Sequence, residues 1–305
     1  MLSLGFDTSN YTTSCAAFDG TTGKNFSRLL DVPEGALGLR QSDALFSHIK
    51  RLPELSDRLF AYLDGAQVDV LGVSTRPRAV EGSYMPCFLA GESLARVLGM
   101  AMHIPVVEVS HQQGHIAAAL WSAGRMDLLD KPLLAWHLSG GTTELLRVWP
   151  DGKNVACEII GGTTDISAGQ LIDRTGKLLS LPFPAGKAID ALAQTAQGKD
   201  FFRVRVNGCE FSLSGVQNQV EGYYLKSGSA IETASFALRS VIHAVRKATQ
   251  NAVKQYPGLP VLFSGGVASN SLLRRKMSEL DAVFAAPEFS TDNAMGVAIL
   301  AQRLL

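Results

Sequence analysis

"PLLAWHLSGGTTELLRVWP", residues 132–150, runs from an apolar segment into Ser139, Gly140 and Gly141 and leaves through a second apolar segment. That order predicts strand, glycine turn, strand. The chain begins with the same grammar: "LSLGFDTSNYTTSCAAFDG", residues 2–20, reads as two strands joined by a polar turn, with Asp19-Gly20 closing the second. Two such openings in one chain predict a duplicated α/β architecture. The glycine pair also recurs, in "IIGGTTDIS" at 159–167 and "LFSGGVASNS" at 262–271. Gly140-Gly141, Gly161-Gly162 and Gly265-Gly266 are each expected to leave a strand. Glycine turns of this kind let consecutive backbone N–H groups converge on a phosphate. Plain tight turns have the same composition, so both readings stay open on the turns alone.

Between these segments the periodicity alternates. Leu45, Ile49, Leu52, Leu55, Leu59 and Leu63 form a helical stripe within 42–63, "VDVLGVST" reads as a buried strand, and "PVVEVS" is a strand that leads into a helix at "HQQGHIAAALWSAG". Later, "AGQLIDRTGKLLSL" and "TASFALRSVIHAVRKATQNAVKQY" have helical spacing, and "TDNAMGVAILAQRLL" closes the chain as a helix that Ser290 or Thr291 would cap. A length of 305 residues exceeds what one hydrophobic core usually holds. The expected division is 1–125 and 126–305, with the final helix returning to the first part.

Hydrophobic residues make up 46% of the chain and charged residues 18%, and 28 basic side chains cancel 28 acidic ones. Disorder and a uniformly basic nucleic-acid-coating surface are excluded on that balance. Cys15, Cys87, Cys157 and Cys209 are too dispersed for a zinc knuckle or a disulfide scaffold. A reduced, cytoplasmic setting is expected. No apolar run approaches the ~18 residues of a membrane span, so no membrane partner is expected.

His111 and His115 are four residues apart, which places both imidazoles on one helix face, as a metal pair requires. Gly114 between them disfavours helix by ~1 kcal/mol relative to alanine. Gln112 stands where a zinc protease needs its glutamate, so metal-assisted peptide hydrolysis lacks a general base. Asp292 lies at the expected start of the last helix, where a first-turn acid is also favoured by the helix dipole. Asp7 and Asp173 each adjoin an apolar element, where an acid either positions a cation or hydroxyl or ends the segment.

In order along the chain, "LGFDTSNYTTSCAAFD", "HQQGH", "LSGGTTELL", "AGQLIDRTGKLLSLPFPAGKAID", "FSLSGV", "SGGVASNSLLR" and "STDNA" resemble the tRNA threonylcarbamoyladenosine synthase family, TsaD-like and formerly called O-sialoglycoprotein endopeptidases. The resemblance implies an α/β, actin-like ATPase (ASKHA) fold of two ribonuclease-H-like domains with a nucleotide cleft between them. It implies that His111, His115 and Asp292 together bind one divalent metal and act in catalysis, with iron or zinc as the ion, or magnesium accompanying the nucleotide. It implies that His137, Leu138, Ser139, Gly140, Gly141 and Thr142 follow the phosphates, that Asp173 and Gly186 flank the rest of the nucleotide, and that Asn270 hydrogen-bonds it. Asp7 would help position a cation. The reaction implied is transfer of a threonylcarbamoyl group from its adenylate to a tRNA adenosine, so ATP or threonylcarbamoyl-adenylate, tRNA, and protein partners of the same fold are the expected ligands.

The sequence also departs from the family. Asn10, Tyr11 and Thr12 stand where the family has a cysteine followed by an acidic pair, Thr142 replaces a histidine, and Ala185 precedes Gly186 where the family has two glycines. These losses describe a divergent paralogue. They leave two other readings open: a non-catalytic nucleotide-binding scaffold, and a small-molecule kinase or ATPase using Asp7 with magnesium.

Overall fold

A computed structural model of the chain describes residues 1–9, 11–31 and 39–305; Asn10 lies outside them. Two compact units result: unit 1 is Met1–Asp130, Pro150–Ala156 and Asp292–Leu305, and unit 2 is Lys131–Trp149 and Cys157–Thr291. Among the described residues no helix is long and apolar enough to cross a membrane.

Unit 1 opens with β1 (Ser3–Asp7), β2 (Thr12–Phe18) and β3 (Gly23–Leu29), followed by α1 (Gln41–Leu63), β4 (Val70–Arg76), α2 (Leu89–Met102), β5 (Val106–Ser110) and α3 (His111–Ser122). Its sheet has the order β3-β2-β1-β4-β5, antiparallel across β3-β2-β1 and parallel across β1-β4-β5. Helix α1 buries Leu52, Leu55, Leu59 and Leu63 as its spacing predicts, but Ile49 is 53% exposed and the line continues instead through His48 and Ala44. Its polar member meets the neighbouring strand: Thr13 Oγ1 lies 2.8 Å from His48 Nδ1.

Unit 2 comprises β6 (Leu133–Leu138), β7 (Thr143–Asp151), which crosses into the 150–156 segment, β8 (Asn154–Thr163), α4 (Ala168–Leu178), α5 (Gly186–Thr195), the two-residue strands β9 (Val206–Asn207) and β10 (Glu210–Phe211), α6 (Ser214–Ser227), α7 (Ala230–Gln255), β11 (Val261–Ser264), α8 (Ser271–Met277) and β12 (Ala282–Phe284). Its sheet order, β12-β11-β6-β7-β8-β10-β9, contains the run β8-β7-β6-β11-β12. That run reproduces the order of the first sheet, hairpin first and parallel strands after. The duplicated opening in the sequence is thus a duplicated sheet. The long helix α7 fills the core of unit 2 with Ala237, Leu238, Val241, Ala244, Val245 and Ala248.

The last helix, α9 (Met295–Leu304), belongs to unit 1 and is almost wholly buried there. Alternation along β1 explains how it fits. Leu4 and Phe6 point into the α1–α2 core, so Ser3, Gly5 and Asp7 face the other way. On that face Ser3 Oγ donates to Ala298 O at 2.8 Å, and a Cβ on Gly5 would lie 2.4 Å from Ala294 O. On β4, a Cβ on Gly72 would lie 2.6 Å from Val297 O. Against α3 the approach is closer still: a Cβ on Gly296 would lie 1.8 Å from Gly114 O. Gly114, unfavourable for α3 alone, is therefore where a second backbone passes.

The sequence expectation for the start of α9 needs correction. The helix begins at Met295, with neither Ser290 nor Thr291 as its cap. Ser290 Oγ instead donates to Ala286 O at 3.1 Å, and Asn293 Oδ1 accepts from the Met295 N–H at 3.1 Å. Asp292 is thereby released from helix-end duty.

Gly296→Ala is expected to destabilise unit 1 by at least about 1–3 kcal/mol through overpacking at the helix crossing. Gly222→Ala, in α6 where a Cβ meets nothing within 4 Å, is expected to be neutral or to stabilise by about 0.4–1 kcal/mol. Urea denaturation of the two variants beside the parent checks both signs.

Candidate metal centre and glycine-turn site

Helix α3 starts at once after β5, and its first turn is fixed by a reciprocal cap. Ser110 Oγ accepts from the Gln113 N–H at 3.2 Å, and Gln113 Oε1 accepts from the Ser110 N–H at 2.9 Å. Gln113 Nε2 also donates to Val155 O at 2.7 Å, which ties the 150–156 segment to unit 1. His111 and His115 follow from this first turn with ring centroids 4.3 Å apart at 80°.

Asp292 reaches both. His115 Nε2 lies 3.2 Å from Asp292 Oδ1, and His111 Nε2 lies 3.6 Å from the same oxygen. One ligand atom from each of the three residues falls within 4.8 Å of the others. The far side of the His111 ring is held as well: Nδ1 lies 2.7 Å from Asp7 Oδ2, while Asp7 Oδ1 accepts from the Ser9 N–H at 2.7 Å. Asp7 is 1% exposed and stands behind His111, orienting the ring rather than meeting an ion directly. This is the carboxylate–imidazole pairing that fixes the tautomer of metal-ligating histidines. Two imidazole nitrogens and a carboxylate oxygen, converging and partly open to solvent, are a donor set that could hold a divalent metal ion.

The electrostatics of the pair follow from its burial. Desolvation alone would push Asp7 up and His111 down. The mutual attraction and shared hydrogen bond outweigh it, so Asp7 lies below its ordinary value and His111 is raised to about 9, with Asp292 adding to the latter.

Unit 2 holds the other sequence-derived candidates. Strand β6 delivers His137, partly buried, and Leu138, whose side chain lies wholly in the core and so leaves only backbone for a ligand. The turn is closed by Ser139 N–H to Thr142 O at 2.8 Å and by Thr142 N–H to Ser139 Oγ at 3.0 Å. A Cβ on Gly140 or Gly141 would meet nothing within 4 Å. Packing therefore does not require glycine at either place, and a side chain would fill the space the bare backbone leaves. The start of α4 abuts this turn: Ser167 Oγ donates to Gly140 O at 2.6 Å, and a Cβ on Gly169 would lie 2.4 Å from Ser139 O. Strands β6 and β11 are parallel neighbours with Ser264 opposite His137, so the Gly265-Gly266 turn leaves from the same end of the sheet. Gly265, at φ +93°, is pressed against Leu138 O.

Asp173, on α4, accepts from the Ala185 N–H at 2.9 Å immediately before Gly186 opens α5, and partial burial raises its pKa. Asn270 caps α8, its Oδ1 accepting from the Leu273 N–H at 2.9 Å. The Gly161-Gly162 pair differs from expectation. It lies inside β8, not in a turn, because a Cβ on Gly161 would strike Cys209 and one on Gly162 would strike Thr143 O. Two further residues gain structural meaning that spacing did not signal. Asp165 accepts from the Ser212 and Ser214 hydroxyls and the Leu213 N–H, which hold its carboxyl well below the usual range despite some desolvation. Asp190 accepts from Ser271 N–H and Oγ. Both link segments tens of residues apart, beyond the reach of local pattern.

Residues 38–299 match the TsaD family, tRNA N6-adenosine threonylcarbamoyltransferase. The chain is 36% identical over 221 residues to the protein of that name from Lacticaseibacillus casei, covering 67% of this chain and 62% of the relative. It is 30% identical over 318 residues to the Nitrosomonas europaea protein of the same name, covering 98% and 91%. Among solved structures it is similar to full-length HypF in its phosphate- and nucleotide-bound form, with TM-score 0.64 and 14% identity, over 100% of this chain and 46% of that one. At that identity the likeness concerns the fold, which is the actin-like ATPase fold.

The metal-free protein is expected to show the Asp7–His111 pair in its pH profile. The His111 contribution is complete below about 6.5 and is lost as pH rises through about 9, while that of Asp7 is present above about 3.8 and lost as pH falls below it. Stability from this pair should therefore peak between about 3.8 and 6.5. Asp7→Asn should flatten the alkaline decline, which denaturation midpoints measured across pH will check.

Proposed function

The chain belongs to the TsaD family of tRNA N6-adenosine threonylcarbamoyltransferases, and from that membership we propose that it transfers a threonylcarbamoyl group from its adenylate to a tRNA adenosine. The observation that carries this reading is the convergence of His111, His115 and Asp292, with Asp7 behind the first.

His111 and His115 would each offer Nε2, and Asp292 a carboxylate oxygen, to one divalent ion. When bound, such an ion supplies Lewis acidity toward a carbonyl oxygen. With an ion bound and the ring neutral, Asp7 would hold the remaining His111 proton on Nδ1 and leave Nε2, the nitrogen facing Asp292, to the ion. The Ser110–Gln113 cap fixes the backbone from which both rings project. In unit 2, the N–H groups around Gly140 and Gly141 would take phosphate oxygens, as bare backbone beside a helix N-terminus does. Asp173 and Asn270 would address the rest of the nucleotide: the first through its carboxyl, the second through the amide nitrogen that its capping role leaves over. Loss of acids at Tyr11 and Thr12 makes the metal ligands and the glycine turn the chemistry this chain retains. On this reading partner proteins would make and deliver the adenylate, and proteins of the same fold would act with this chain.

Purified protein is expected to bind about one zinc or iron ion per chain. His115→Ala and Asp292→Asn should each abolish stoichiometric binding, and Asp7→Asn should weaken it about 10–100-fold. Elemental analysis and chelator competition read these effects. With threonylcarbamoyl-adenylate and tRNA, nucleoside mass spectrometry should detect the modified adenosine with the parent protein and not with the ligand variants. Full metal content in both ligand variants would overturn the assignment.

A further inference from the structure

The zero net charge of the chain conceals an asymmetry. Unit 2 carries 16 lysines and arginines against 12 acids, and unit 1 carries 12 against 16. Part of the excess is concentrated on one ridge. Residues 197–208 run as an extended segment along α7, pinned at both ends and in the middle. Gln197 and Gly198 N–H donate to Glu232 at 3.0 Å each, Phe202 N–H to Ser240 Oγ at 2.9 Å, and Asn251 Nδ2 to Gly208 O at 2.6 Å.

The segment displays its cations outward. Val204 is buried, so Arg203 and Arg205 on either side of it are exposed together, about 6.7 Å apart along an extended backbone. Lys199 is exposed on the same segment, and Lys247 on α7 one turn beyond His243. Arg203 and Lys247 both bear on His243, whose imidazole is held below its ordinary value by burial first and by these two charges second. The Phe201 ring, 40% exposed, lies 5.0 Å from the His243 ring at 36°.

Elsewhere Arg28, Arg96, Arg125, Arg147, Arg246 and Arg303 are each ion-paired, while Arg174 and Arg274 bond to neutral groups. Among the described residues Lys199, Arg203, Arg205 and Lys247 have no carboxylate within 4.0 Å. Of the nearby acids, Glu232 is taken up by two backbone N–H groups, and Asp200 lies 3.5 Å from the Tyr223 hydroxyl. Unpaired cations at the spacing of successive phosphates, with an aromatic pair among them, are the chemistry that tracks a nucleic-acid backbone and stacks a base.

We propose that the ridge formed by Lys199, Phe201, Arg203, Arg205, His243 and Lys247 is an RNA-contacting surface. It rests on the proposed function, since it supplies that reaction's tRNA with a docking place on this chain. Each phosphate contact releases counterions, so binding here weakens steeply with salt.

The test uses the full chain and an in vitro transcribed tRNA, with affinity followed from 50 to 300 mM salt. Arg203→Glu/Arg205→Glu/Lys247→Glu is expected to lower affinity at least tenfold and to make the salt slope shallower by about two to three. Phe201→Ala should weaken binding several-fold and Phe201→Tyr should restore it. Circular dichroism and zinc content of the variants should match the parent. Undiminished affinity and slope in the triple variant would overturn the ridge while leaving the tRNA reaction standing. Absence of tRNA binding by the parent chain with zinc binding intact would also overturn it, and would count against tRNA as the substrate without touching the metal centre. Capture of an acidic polypeptide, but not tRNA, by the ridge would place it in a protein interface and likewise overturn it.

Discussion

The contact between the backbones of α3 and α9, at Gly114 and Gly296, is the constraint from which the candidate centre derives. At position 296 not even a Cβ fits, since it would lie 1.8 Å from Gly114 O. Asp292 precedes α9 by three residues and His111 and His115 flank Gly114, so the crossing brings a carboxylate from near one end of the chain to two imidazoles far from it in sequence. The same close approach is repeated beneath α9 by Gly5 and Gly72. A β-strand's alternation then does the rest: the face of β1 that must be small under α9, Ser3 and Gly5, is the face on which Asp7 emerges beside His111.

Three glycine pairs that look alike in sequence have three different physical roles. Gly140-Gly141 face open space. Gly265 combines positive φ with an approach to Leu138 that excludes a Cβ, and Gly161-Gly162 lie within a strand crowded by Cys209 and Thr143. The first arrangement leaves backbone for a ligand; the other two secure the fold. Composition cannot separate these cases, because each is written as two glycines and only the surroundings say whether a Cβ would clash or meet open space.

Much of the architecture was legible because it is periodic. The hairpin openings, the α7 stripe and the strands "VDVLGVST" and "PVVEVS" repeat at the spacing of their element over enough residues to outweigh local exceptions. Ile49 was misplaced because a neighbouring stripe through Ala44 and His48, with a buried polar pair at Thr13, competes with it. The start of α9 was misplaced because Ser290 and Thr291 are good caps in isolation, and the contacts of Ser290 with Ala286 and of Asn293 with Met295 are local but follow no helical period.

By itself the sequence determined the paired strand–turn–strand openings, the α/β class and the presentation of His111 and His115 on one helix face, since each follows from spacing within a single element. The family resemblance set Asp292 beside the histidines, but only tertiary structure decided the geometry of their meeting, that Asp7 holds His111 from behind, that Asp165 and Asp190 are structural clasps, and that 197–208 lies along α7 with its cations outward. The physical reason is range. Backbone periodicity acts over a few residues, whereas the meeting of groups a hundred or more positions apart is set by which helices pack closely enough to touch.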